Sequence, residues 1–289
     1  MSANTRRKPL SLPVWTRGVY IQPSAYAGPV LRTSSALANY VDAMGNWDIV
    51  CPDQAQALTI KVIPCTGPFL LIHYRTPSTF TRQFGSHGCS EPEYHHFAST
   101  FHTGIVVSRP RGSLGIISVR LKPEAAASLL GERMQYFLDA RIGLDDLFGA
   151  GRVSLLVEML AEAATSAERF AYVESFLAAN LRERPVNSVA CQAAALLRQR
   201  PHLRVRQLAA QLDVSERHLS RSFQAMFGMS PKRFARISRI ESAWSAWSQG
   251  ASWADVAYAT GFTDQAHMIN DFTEIVGVPP AQLVRPPGH

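Results

Sequence analysis

Two stretches of this chain follow one plan, and they constrain its fold more than any other feature. The first is Val205–Phe227, VRQLAAQLDVSERHLSRSFQAMF. Leu208, Ala209 and Leu212 recur at i, i+1 and i+4, an apolar helical stripe with a small residue where helices approach closely. Leu212-Asp213-Val214 reads as a break, because Asp tolerates the left-handed conformation that a tight turn uses. Ser215 is suited to cap a second helix, its hydroxyl accepting from an unsatisfied N–H of the first turn. That helix places Leu219, Phe223 and Phe227 on one face, and Gly228 stops it. Its other face carries Arg217, Ser220, Arg221 and Gln224. The spacing predicts a helix-turn-helix.

The plan then returns. Ala254–Ala257 opens a helix, Gly261-Phe262 forms a turn, and Thr263 stands as the next N-cap, 48 residues after Ser215. Met268, Phe272 and Val276 mark the second buried face, and Gly277 ends it. Val278-Pro279-Pro280 echoes Met229-Ser230-Pro231 after the first copy. One long helix, Pro231–Gly250, joins the copies, with Trp244 and Trp247 at i, i+3 as core contacts. A helix at Val189–Arg200 precedes them. Two such units joined by a helix form a specific internal repeat.

Charge follows this division. The chain of 289 residues carries a net +7. Residues 198–240 hold ten Lys/Arg against two acids, a net +8, while residues 241–289 hold one Arg against five acids, a net −4. A cationic helix-turn-helix with Arg on its outer face is suited to nucleic-acid phosphates and to the major groove. The acidic second unit is expected to bind DNA weakly or to face a protein such as RNA polymerase.

The N-terminal half has a different texture. Residues 1–14 read as a flexible arm and 15–121 as a β-rich sensory or regulatory module. Its short apolar runs, LTIKVI (58–63), PFLLIHY (68–74), GIVVS (104–108) and LGIISVRL (114–121), are separated by Pro, Gly and Ser. Continuous apolarity predicts burial on both faces. A helix is expected at Ser34–Met44, where Ala36, Leu37, Tyr40, Val41 and Met44 recur at helical spacing. Residues 122–185 read as helices that link the domains, pack on the β module or pair subunits. The expected class is α+β: a β-rich N-terminal module, trailing helices, then an all-α domain over 186–289.

The C-terminal stretch resembles the AraC/XylS family of bacterial transcription regulators over about residues 186–289. The likeness is carried by LAAQLDVSERHLSRSFQAMFGMSP, by Arg239 on the linking helix, and by VAYATGFTDQAHMINDFTEIVGVPP with its GF…F…G-x-P signature. LGIISVRLKPEAAASLLG and LDDLFGAG more weakly resemble the regulatory module found ahead of such domains in one subgroup. Family sensor modules are often small cupin-type barrels, in line with the strand reading. The resemblance implies two recognition helices in successive major-groove segments of double-stranded DNA, roughly 34 Å apart. It implies base reading by Arg217, Ser220, Arg221 and Gln224 in the first helix and by His267 and Asn270 in the second. Ser215, Lys232, Arg233, Arg236 and Thr263 then fall to phosphate.

Other chemistry finds little footing. His87–His102, HGCSEPEYHHFASTFH, is rich in His, Cys and Glu but lacks the H-x-H pair of a metal-binding cupin and any H-E-x-x-H. Cys51, Cys65, Cys89 and Cys191 are too dispersed for a zinc-activated alkyl acceptor and read as reduced, inert thiols. There is no Gly-rich phosphate loop and no G-x-S-x-G elbow. No catalytic residue, metal or cofactor is expected. Neither is a membrane partner, since no run of about 18 apolar residues occurs. The expectation is a cytoplasmic regulator controlled by a small-molecule effector, by homodimerisation, or by both. A constitutive dimeric regulator and an enzyme-like barrel fused to a DNA-binding domain are the alternatives.

Overall fold

The computed structural model describes residues 19–21, 30–31, 37–84, 87–90, 94–99, 104–131, 140–182 and 189–283. The expected arm at 1–14 and the domain boundary near 186 lie outside them. The N-terminal part is built on two sheets. The first contains β1 (Val19–Ile21), β4 (Ile60–Val62), β9 (Ile105–Pro110), β6 (Ser78–Phe84) and β7 (His87–Ser90), in that spatial order. The second runs β11 (Arg141–Gly143), β8 (His96–Ser99), β5 (Phe69–His73), β10 (Leu114–Leu121), β3 (Val41–Ile49) and β2 (Val30–Leu31). The β1–β4 pair is parallel and the other pairs are antiparallel. The sheets face each other: the Phe80 ring of β6 lies 5.0 Å from Phe97 of β8 and 5.9 Å from His73 of β5. Burial of His73 lowers its pKa to about 4, so the ring enters this core neutral. Its Nδ1–H donates to the His95 carbonyl at 2.6 Å.

The four apolar runs contain β4, β5 and β10 and the first four residues of β9, and every residue of β10 is buried, as unbroken apolarity implies. The helix expected at Ser34–Met44 is overturned over residues 37–44, and its first three residues lie outside the described residues. Residues 37–40 form a turn and Val41 begins β3. The cause is a β-bulge. Leu121 pairs with Val41 but Arg120 pairs with Ala43, so Asp42 is an extra residue in the strand. One inserted residue puts Val41 and Met44 on the same face, imitating the i, i+3 spacing of a helix.

Short helices α1 (Pro52–Gln56), α2 (Ala127–Leu130) and α3 (Leu144–Phe148) punctuate this region, and α4 (Ala150–Glu162) and α5 (Ser166–Asn180) follow it. Thr165 and Glu168 close a capping box at the start of α5. These helices lie on the β module: Asn46 Nδ2 donates to Ser166 Oγ at 2.9 Å. Arg169 pairs with Asp48 at 3.1 Å while its guanidinium lies 4.6 Å from the Tyr74 ring centre.

The C-terminal domain is all helix: α6 (Val189–Gln199), α7 (Val205–Gln211), α8 (Glu216–Phe227), α9 (Pro231–Ser248), α10 (Trp253–Ala259) and α11 (Gln265–Val276). Trp244 and Trp247 are buried, and Trp247 stacks on Trp253 at 4.7 Å, so these rings form core and are not a platform for bases.

Polar contacts at Glu241, Arg198 and Ile275 tie the modules together. Glu241 of α9 accepts from Thr66 N and Oγ1 at 3.1 and 2.7 Å and pairs with buried Arg120 of β10. The bulged Asp42 pairs with Arg198 of α6 at 2.5 Å, and Arg198 also reaches Glu124 at 3.1 Å. The Gly104 N–H donates to the Ile275 carbonyl near the end of α11 at 2.8 Å.

Candidate nucleic-acid interface

The first unit forms as its residues dictate. Asp213 takes φ 53°, the single positive φ at a non-glycine among the described residues, and turns the chain between α7 and α8. Ser215 Oγ accepts from His218 N at 3.1 Å and caps α8; Gly228, at φ 68°, ends it. Leu219, Phe223 and Phe227 are buried, and the two Phe rings meet Phe234 of α9 at 5.3 and 5.8 Å. With that face anchored, Arg217 and Arg221 stand exposed four residues apart and Ser220 lies half-buried between them. Gln224 is exposed, but its amide donates to Gly228 O at 2.8 Å and closes the end of its own helix.

The second unit repeats this framework with one residue more in its turn. Helices α7 and α10 are each seven residues long and begin 48 residues apart; α8 and α11 are each twelve and begin 49 apart. Gly261, at φ 80°, replaces Asp213, and a Cβ there would meet the Cβ of His202 at 2.7 Å. The extra residue moves the cap. Asp264, and not Thr263, accepts from His267 N, at 2.7 Å.

The shift also changes which residues of α11 face outward. Ala266, Ile269, Asn270 and Thr273 occupy the positions of Arg217, Ser220, Arg221 and Gln224, and all four are exposed. His267 instead matches His218. Its half-exposed ring lies edge-on to Phe262 at 5.5 Å, with Nε2 3.9 Å from Asp271. The buried Leu219 and Met268, 49 residues apart, set this register.

The acids of the second unit have local work. Asp271 is buried and pairs with Arg236 at 2.9 Å and Arg239 at 3.1 Å. Glu274 pairs with Arg236 at 2.5 Å. Its carboxyl is held below the ordinary carboxylate range, chiefly by that Arg236 hydrogen bond. Asp264 is the cap, and Asp255 accepts from Ser252 Oγ at 2.6 Å. Arg236, expected at phosphate, is engaged by these acids, and its guanidinium joins α9 to α11. Asp255, Asp264 and Glu274 remain exposed while making these contacts. Arg239 also lies 5.3 Å from the Phe262 ring centre. Lys232 is exposed and Arg233 half-buried at the start of α9, whose N-cap is Ser230.

Elsewhere, Cys51 is exposed, while Cys65 and Cys191 are buried. Burial, then the charge of Glu241, pushes the Cys65 thiol up to about 12, leaving it protonated and unreactive. In the His-rich stretch, His87 and His95 are exposed and His96 is half-buried. Glu91, Glu93 and His102 lie outside the described residues. No three His, Cys, Asp or Glu side chains among the described residues are grouped to hold a metal.

A family profile described as a helix-turn-helix domain matches residues 208–285. The uncharacterized HTH-type transcriptional regulator YbfI of Bacillus subtilis (strain 168) is 41% identical over 54 residues, 19% of this chain and 20% of that protein. The chain thus matches about a fifth of the length of this curated relative. A crystal structure of ToxT from Vibrio cholerae O395 aligns with 83% of this chain and 95% of its own at 11% identity and a TM-score of 0.46. That of unsaturated fatty acid bound ToxT from strain SCE256 covers 83% and 93% at 11% identity and a TM-score of 0.44. The matched segment spans α8, α11 and the helix between them, so residues 208–285 of this chain form a helix-turn-helix domain.

Proposed function

We propose that this protein is a sequence-specific DNA-binding transcription regulator that acts in the cytoplasm. The observation that carries the reading is the outer face of α8. A buried Leu219–Phe223–Phe227 edge holds Arg217 and Arg221 outward on the N-terminal half of a capped helix. An arginine there meets guanine O6 and N7 in the major groove, and Ser220 completes the reading edge. Lys232, Arg233 and the two helix starts at Ser215 and Thr263–Asp264 meet phosphates, which fix position more than sequence. Asn270 reads a base from α11, and the first unit supplies most of the affinity.

The N-terminal module supplies control. Its contacts reach α6 at Arg198, the joining helix α9 at Glu241 and the second unit at Ile275. An effector or a second subunit that binds one arrangement of the modules more tightly shifts the DNA-binding domain toward that arrangement. This supports an effector- or dimer-controlled regulator over a constitutive one.

The test is selection of bound sequences from random double-stranded DNA with the full-length protein. The expected result is a motif with a G-containing core that is lost with Arg221→Ala. Enrichment of no motif at all overturns the reading.

A further inference from the structure

We propose that α11 reads thymine methyl groups, so that the operator pairs a guanine-containing box under α8 with an A·T box under α11. The inference rests on the DNA-binding reading above and adds the base class that the second unit selects. Once the one-residue insertion is allowed for, the outward positions of α11 are Ala266, Ile269, Asn270 and Thr273. Three of these end in methyl groups, and none bears a charge. Ile269 is 38% exposed, one of the few large apolar side chains left in solvent, and it stands where α8 carries Ser220. Thr273 spends its hydroxyl on the Ile269 carbonyl at 2.8 Å, so its methyl is the group left to a partner.

The major-groove edge of thymine carries a C5 methyl, and adenine beside it offers N7 and N6–H2. Methyl-bearing side chains suit the first and the Asn270 amide suits the second. Guanine, which calls for a double donor, finds no Arg or Lys on this face. Asp271 and Glu274 do not oppose such contact, because both are engaged by Arg236.

The experiment uses the site selected by the full-length protein. Each thymine is replaced in turn by deoxyuridine, which keeps the pairing edge and removes only the methyl. Bases whose recognition is lost with Arg221→Ala define the α8 box; the remaining box belongs to α11. In that box at least one thymine-to-uracil change is expected to weaken binding about four-fold, the ratio for one buried methyl-sized group. An Ile269→Ala protein is expected to bind thymine and uracil alike at one of those positions. Wild-type protein on modified DNA does not depend on a variant's folding. Equal binding of thymine and uracil throughout the second box overturns the proposal, as does a G·C-specific second box or no second box. In each case the G-containing core leaves the regulator reading standing. Discrimination unchanged in Ile269→Ala also overturns it, and would return the Ile269 face to a protein partner.

Discussion

Helices α8 and α11 are of equal length, end on left-handed glycines and bury the same three positions. Their outer faces differ: α8 exposes Arg217 and Arg221, whereas α11 exposes Ala266, Ile269 and Asn270 at the matching sites. Net charge alone makes the second unit look repellent to DNA. The contacts temper that, because buried Asp271 pairs with Arg236 and Arg239 and exposed Glu274 pairs with Arg236. Cations counted with the first unit and acids counted with the second neutralise each other across α9 and α11. A charge sum over sequence is therefore a poor measure of the charge that a ligand meets.

The largest expected effect tests that pairing. Asp271 is 5% exposed and holds two arginines. Asp271→Ala should cost roughly 3 kcal/mol of stability, because it takes a buried carboxylate away from two half-buried arginines, of which only Arg236 keeps another acid. Thermal or urea unfolding of the full chain reads this directly. A variant of unchanged stability that binds DNA more tightly would mean that the acid faces the duplex, and the comparison would fail.

Next come the two reading faces. Arg221→Ala should lose about 1–3 kcal/mol of discrimination at one base pair. Asn270→Ala should lose less, since charge-assisted hydrogen bonds are the stronger kind. Titrations of both variants against a selected site measure the ratio. A greater loss from Asn270→Ala would invert the ranking of the two units.

Smaller again is the phosphate term. Lys232→Ala should weaken binding to all sequences alike and reduce the slope of log affinity against log salt by about 0.9. A change of sequence preference in this variant would move Lys232 from positioning to reading.

Much of this architecture was legible because its signals are local. Asp213, Ser215 and Gly228 specify a turn, a cap and a stop through their own backbone and side-chain chemistry, and each takes the expected role. The turn at Gly261 was legible in the same way. The cap after it was not, because Thr263 and Asp264 are both competent caps and only the packing of α11 chooses between them. Strand β3 was hidden by a bulge that gives Val41 and Met44 a helical spacing. Strand β6, STFTRQF, was hidden by its polar composition; it is recruited by pairing with β9 and by Phe80 alone pointing at Phe97. The acids that engage Arg236 were not legible, because a cation near a recognition helix looks the same in sequence with or without a carboxylate partner 35 or 38 residues away.

The smallest effect lies at Glu274, whose side chain is 67% exposed. An ion pair so open to water contributes less than about 1 kcal/mol, so Glu274→Gln should leave the fold intact at neutral pH. Its pH dependence is more telling. Arg236 holds this carboxyl below its ordinary value of 4.5. The pair's contribution is therefore present above 4.5 and is lost as pH falls through the lower folded value. Thermal unfolding of wild type and variant should coincide in acid and separate slightly toward neutrality. With Asp271 still holding Arg236, DNA affinity should stay within a few-fold of wild type. If Glu274→Gln instead lost binding by tenfold or more, Glu274 itself would be a contact residue, and the two faces would have to be compared with a charged α11.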